Sequence, residues 1–365
     1  MSTRELAHRR QKPHHFHLDV PHRRSSITRR AGAVITLLAL AAVAAVSTGP
    51  VAGASSKGNT TKGIPAGVTL SLGDQSQYLQ TFLKASGQLD DLPYEVEFKS
   101  FLSGPLLVQG FNAGEIDFGI LGDTPASGAV AAHVPVKAVA ITHSEGPQIS
   151  LVARPGIKSI AQLEGKKVAY TTGTAQQAFA LRALKKGGLE GKEVEQVDVA
   201  LQQLGTVLEA GQADASVVTA ADKIRYLSAH PDAKELANNT NVQPATYGYL
   251  LATTDALKDK GKSAALFDLV KRLIKANAWK DAHPDEWVQA FYVGVAHQDP
   301  KFASQLNKVA GLSYVPIDDD VKTALQQMVD LLASEKAIPS AFDVKPLFDA
   351  KATATYNAIV EKQSS

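Results

Sequence analysis

Five short turns hold the residues of this chain best suited to chemistry: Gly73–Gln77, Ser103-Gly104-Pro105, Gly122–Pro125, Thr172–Gln176 and Thr219–Asp222. In four of them a hydroxyl, on Ser76, Ser103, Thr124 or Thr174, opens a segment of helical periodicity. The first N–H groups of a helix have no internal partner, and the helix dipole favours negative charge there. A Ser or Thr at such a point either donates to a ligand oxygen or caps its own helix, and both readings stand. Gln75, Ala175 and Gln176 belong to the same turns. Gly73, Gly104 and Gly173 let a backbone approach closely or turn, with or without a ligand. Asp123 reads as a loop carboxylate or as the contact of a ligand amino group. Asp222 reads a cationic or hydroxyl group, or caps a helix. His143, with Glu145, can line a site from a hinge or lie on the surface.

Covalent chemistry has little to work with. The chain has no cysteine and no G-x-S-x-G, so thiol nucleophiles, thiolate metal sites and a serine elbow are absent from the sequence. His283 and His297 lack close metal-ligand spacing, and no cofactor is expected. No Arg stands in the five turns as an anion clamp. An oxyanion would be held by backbone and hydroxyl donors, and a neutral or zwitterionic ligand stays open.

The elements that position these turns repeat. Val68, Gly73, Gln77, Gly87 and Leu89 recur as Val168, Gly173, Gln177, Gly187 and Leu189, one hundred residues on. Ala113-Gly-Glu-Ile-Asp117 recurs as Ala210-Gly-Gln-Ala-Asp214. Each unit reads strand, glycine turn, helix, strand, helix, Ala-Gly stop, strand. Strands are expected at 68–72, 117–121, 167–171, 194–199 and 215–219. Helices are expected at 77–86, 103–113, 174–187 and 203–210. Such alternation predicts an α/β fold of two similar lobes with central, parallel sheets, ligands binding beyond the carboxyl ends of the strands. Helices follow at 263–281, 284–296, 300–309, 318–335 and 344–361. Trp279, Trp287 and Phe291 read as core.

Composition bounds the rest. Over 365 residues, 44% are hydrophobic, 20% charged and 6% aromatic, the pattern of a soluble globular chain. The net charge of +2 hides a tail of +6 over residues 1–30 and a body of −4, which removes the electrostatic motive for nucleic-acid binding. That basic tail, the uncharged Ala31–Ser56 and Ala52-Gly53-Ala54 read as a secretory signal peptide, residues 1–54. An uncleaved anchor is the alternative. The basic pair Arg29-Arg30 leaves twin-arginine or general export open. The cluster His14, His15 and His17 falls in this tail. Residues 55–65 read as a linker.

The run Phe101–Pro125, FLSGPLLVQGFNAGEIDFGILGDTP, resembles the signature of the aliphatic sulfonate, taurine and nitrate substrate-binding proteins of ABC importers. Ser159–Ala169, Gly173-Thr-Ala175, Leu181–Leu189, Trp279–Glu286 and Ile338–Val344 are similar to the family's later motifs, in order. The resemblance implies a type II periplasmic-binding-protein architecture, with lobe I at 66–151 and 250–365 and lobe II at 152–249. It also implies an exported, monomeric protein, periplasmic or extracellular, that binds a small molecule between the lobes and delivers it to an ABC permease. Enzymes and permease-free sensors on this fold are the alternatives, and the related desulfinases and pyrimidine-precursor synthases rely on cysteine. Where the family carries two tryptophans, Ser216 and Thr219 stand; Asp222 takes a tyrosine position and Gln176 a histidine position. A wall without indoles predicts a ligand larger or more hydroxylated than taurine.

Overall fold

The computed structural model describes residues 63–242 and 247–363. The expected signal peptide, its histidine cluster and the linker up to residue 62 lie outside the described residues.

The chain begins with β1 (Thr69–Gln75), α1 (Tyr78–Ala85), β2 (Glu95–Phe101), α2 (Gly104–Asn112), β3 (Phe118–Gly122), α3 (Asp123–Ala131) and β4 (Val136–Ser144). It crosses between Ser144 and Ile149 into β5 (Ile149–Ala153), β6 (Lys167–Ala169), α4 (Ala175–Lys186), β7 (Glu195–Val197), α5 (Leu204–Glu209), β8 (Ala215–Thr219), α6 (Ala220–Ala229) and β9 (Lys234–Asn238). It returns through β10 (Tyr247–Thr253) and α7 (Thr254–Lys258) to the long α8 (Lys260–Ala282). Then come α9 (Pro284–Trp287), α10 (Pro300–Asn307), β11 (Leu312–Val315), α11 (Asp319–Ser334) and α12 (Ala350–Glu361).

Two sheets result, one per lobe. The first has the order β11-β4-β10-β3-β1-β2, the second β7-β6-β8-β5-β9. Val139, Ala140 and Ile141 on β4 are all fully buried, as expected of a strand covered on both faces. The sheets are mixed, a correction to the parallel expectation. β10 runs antiparallel to β3 and β4, β11 to β4, and β5 to β8 and β9. The strands flanking the two crossings run back against their neighbours, which a strand–helix alternation read locally does not reveal.

The repeat has a structural counterpart. Asp117 accepts from the Ser71 N–H at 3.0 Å and donates its own N–H to the Ser71 carbonyl at 2.7 Å. Asp214 does the same with Lys167, at 3.0 and 2.8 Å. Each carboxylate follows a glycine at φ +70°, Gly114 or Gly211, that ends the preceding helix.

The C-terminal third is helical and folds onto the first sheet. The single helix expected over 284–296 is instead a short α9 followed by a π-helical turn at Val288–Val293. Gly294 and Ala296 donate to the carbonyls five residues back, Gln289 and Phe291. The helix expected from 344 starts at Ala350, capped by the Asp349 carboxylate on the Ala352 N–H. The lobes meet along α4, whose Ala178 and Leu181 join the first lobe's core.

Candidate functional site

Two clusters gather the residues singled out from the sequence. The first surrounds a cavity of ≈ 470 Å³ in the first lobe, at the carboxyl end of β1. Gly73, Gln75 and Ser76 line it. Gly73 is a close-approach glycine: a Cβ there would stand 2.8 Å from Ile116 Cδ1. Gln75 donates to the Ile120 carbonyl at 3.1 Å. Ser76 and Gln77 are both left-handed, at φ 56°. Two successive non-glycine residues in that region store strain, which persists where the surroundings impose it.

The strain has a local cause. The turn swings the Asp74 carboxylate beneath α1, where it accepts the N–H groups of Leu79 at 2.9 Å and Gln80 at 3.0 Å. Neither Ser76 nor Gln77 caps α1 through its side chain. The first of the expected anion-binding helix starts is thus filled by the chain's own carboxylate, and Ser76, which does not cap it, lines the cavity. Burial raises the Asp74 pKa above its ordinary 3.8, against the lowering effect of those backbone donors.

The opposite wall is aromatic. Trp287 and Phe291 stack at 5.0 Å, and Tyr78 meets both edge-on at 5.6 and 5.3 Å. Tyr292 and Tyr314 complete the lining, with Lys280 of α8 beside them. Trp287 and Phe291 are core residues and cavity wall at once. The π-helical turn carries Phe291 and Tyr292 round to this face, a displacement no 3.6-residue periodicity signals. Gln148, in the first crossing between lobes, also lines the cavity and donates to the Gly311 carbonyl at 3.2 Å.

The second cluster lies where α2, α3 and α4 begin. Gly104 packs so closely on Pro125 that a Cβ would sit 2.6 Å from its ring. Ala175 Cβ would be 3.2 Å from a Cβ on Gly122, and Pro105 packs 3.7 Å from that of Gly173, itself at φ +73°. Ser103 makes no side-chain cap. Thr174 donates its hydroxyl to the Thr171 carbonyl at 2.7 Å instead of capping α4. Gln176 is half-buried in the first turn of α4. Asp123 is the loop's own anion: it accepts the Thr124 N–H at 2.7 Å and pairs with Arg182 of α4 at 3.1 Å, with both side chains almost fully buried. Thr124 is buried with it. Arg182 was not apparent in the sequence as a partner, because its carboxylate lies 59 residues away.

Three further expectations fall elsewhere. His143 sits on β4 with its ring 5.5 Å from Tyr247. Thr219 caps α6, and its hydroxyl donates to Asp222 at 3.0 Å; Asp222 also faces Arg225 at 3.5 Å. His143, Thr219 and Asp222 are outside the cavity lining. Ser216, read as a replaced indole of the cleft wall, is fully buried in β8 and donates to the Leu204 carbonyl at 2.9 Å. Aromatic surface is supplied instead by Trp287, Phe291 and their neighbours.

Comparisons with known proteins find relatives over most of the chain. A protein of Escherichia coli named "Putative aliphatic sulfonates-binding protein" is 25% identical over 319 residues, covering 85% of this chain and 95% of that protein. The taurine-binding periplasmic protein of the same organism is 25% identical over 242 residues, 66% of this chain and 68% of that one. Among solved structures, the alkanesulfonate-binding protein SsuA from Xanthomonas axonopodis pv. citri, bound to MOPS, matches with a TM-score of 0.67 at 20% identity. It covers 78% of this chain and 99% of that one, which shows the shared fold. The model of the NMT1/THI5-like family matches residues 104–287, from the start of α2 to the end of α9. With half of its residues matched in this way, the chain belongs to the NMT1/THI5-like family.

Proposed function

We propose that this protein is an exported solute-binding component of an ABC importer, taking a small organic ligand of the sulfonate class and handing it to a membrane permease. The observation that carries the reading is the ≈ 470 Å³ cavity, formed by the end of β1, the aromatic wall and Gln148 of the first crossing. A ligand there touches one lobe and the segment about which the other turns. Closure then follows from the ligand's preference for the state with more contacts. The lobes are read as 66–148 with 247–363, and 149–242, which keeps β5 whole in the second sheet and β10 in the first and moves the bounds expected at 151 and 249 by three residues. The second cluster, at the starts of α2, α3 and α4, is where the lobes are joined, through Asp123 and Arg182. Binding and release suffice for this role, and the protein acts as a monomer, periplasmic or held at the cell surface. Among the described residues no helix is long and apolar enough to cross a membrane.

Mass spectrometry of denatured protein, freshly purified from its source, tests the reading together with thermal unfolding in a panel of sulfonates and sulfate esters. A ligand at one hundred times its Kd should add about 2.7 kcal/mol to stability. A flat melting temperature across the panel, with no small molecule released on denaturation, counts against solute binding.

A further inference from the structure

We infer that the ligand's acidic head is held by Lys280 and its body by the Trp287–Phe291 wall, so that the preferred solutes are ring-bearing or bulky organic sulfonates. This rests on the solute-binding reading and names the ligand class for the same cavity. Three observations converge. First, the helix start nearest the cavity is closed to an incoming anion, because both Asp74 oxygens already take N–H groups of α1. Second, Lys280 lines the cavity with its side chain only 6% exposed. Its ammonium carries three donors. Two go to the Asp281 carboxylate at 3.1 Å and, at a long 3.4 Å, to the Ala310 carbonyl. Asp281 is 59% exposed, so water weakens its hold on the ammonium. An oxyanion inside the cavity meets the same charge on a side chain that is almost fully buried.

Third, the aromatic wall that shares the cavity with Lys280 suits a flat or bulky body. Phe291 and Tyr78, both half-buried, present ring surface to the cavity, and Trp287, 1% exposed, backs them by stacking on Phe291. The cavity volume falls in the range of pockets that enclose drug-sized ligands. A two-carbon sulfonate leaves most of it unfilled. Burial holds the Tyr292 phenol up at about 12 and raises those of Tyr78 and Tyr314 as well. The phenols around the cavity therefore stay neutral, and the carboxylate that also lines it, Asp74, is engaged by the Leu79 and Gln80 N–H groups.

Calorimetry decides it, with 2-naphthalenesulfonate, taurine and 2-naphthylmethylamine as probes on the unmodified protein and on Lys280→Met and Lys280→Arg. The expected result is binding of 2-naphthalenesulfonate at least 30-fold tighter than taurine, with the amine weaker still. Lys280→Met should lose 30-fold or more, and Lys280→Arg should recover part of that. Equal binding of 2-naphthalenesulfonate by the unmodified protein and a folded Lys280→Met overturns the role of Lys280 while leaving solute binding intact. Taurine binding as tightly as 2-naphthalenesulfonate overturns the role of the wall. The comparison of sulfonate with amine needs no variant, so equal affinities overturn the anion assignment even if Lys280→Met does not fold. If no probe binds, the inference is wrong, and the co-purifying mass separately decides solute binding.

Discussion

Asp117 in the first lobe and Asp214 in the second do one job twice, yet the helices that open the two lobes begin differently. Both carboxylates lock the same pair of strand ends with matching hydrogen bonds. Asp117 is further held by Lys262 of α8 at 2.8 Å. At α1, a left-handed turn places Asp74 against the helix N–H groups. At α4, a glycine at φ +73° turns the chain, the Gln177 side chain takes the Gly173 N–H, and Thr174 bonds backward to Thr171. Positions that carry the strand frame therefore keep one solution in both lobes, whereas helix starts facing the space between lobes do not. The frame depends on backbone pairing, which tolerates few alternatives. The helix starts depend on what stands opposite.

The strongest way to break this comparison is at the seam between lobes. Asp123→Ala leaves the Arg182 charge buried without its carboxylate, and breaking such a pair costs about 3–5 kcal/mol. Urea unfolding should show a loss of unfolding free energy of that size; a change under about 1 kcal/mol would mean that the seam contributes little.

The frame itself gives a graded pair. Asp117→Ala removes both a strand bond and the Lys262 ion pair, and should cost about 2 kcal/mol. Asp214→Ala removes the strand bond at a more exposed point and should cost about 1 kcal/mol. Equal losses would show that Lys262 adds nothing to the first lobe.

The smallest effect sharpens the contrast at α1. Because the folded Asp74 pKa is raised, its contribution to stability is fully present below 3.8 and lost as pH rises through the folded value. Asp74→Asn lacks this loss. Its stability relative to the unmodified protein should therefore improve between pH 3.5 and pH 7, measured by urea titration at each pH. A constant difference across that window means that Asp74 is not penalised by burial.

Much of the frame was legible in the sequence because its signals are local. Gly114 and Gly211 end helices, and the aspartates that follow repeat with their neighbours. The site was less legible. Ser76, Ser103 and Thr174 were read by residue type as caps or donors, yet none caps its helix through its side chain. Asp74, two residues before Ser76, takes the role at α1. Ser216 was assigned to the cleft by its place in a family pattern, but a central position in the second sheet buries it. Lys280 stands beside Trp279 with no mark of its burial, because the segment that covers it comes some thirty residues later.

The order of the first sheet bears on how this chain comes to be folded at all. β10 lies between β3 and β4 and supplies the antiparallel ladder to both. About one hundred residues separate β4 from β10, and a ribosome working at about 5–20 residues per second needs roughly 5–20 s to make them. Throughout that interval the edges of β3 and β4 that will flank β10 wait unpaired, while β5 to β9 emerge as one continuous piece. The lobe begun first is thus the lobe completed last, because its sheet lacks the strand between β3 and β4 until residues 247–253 are made.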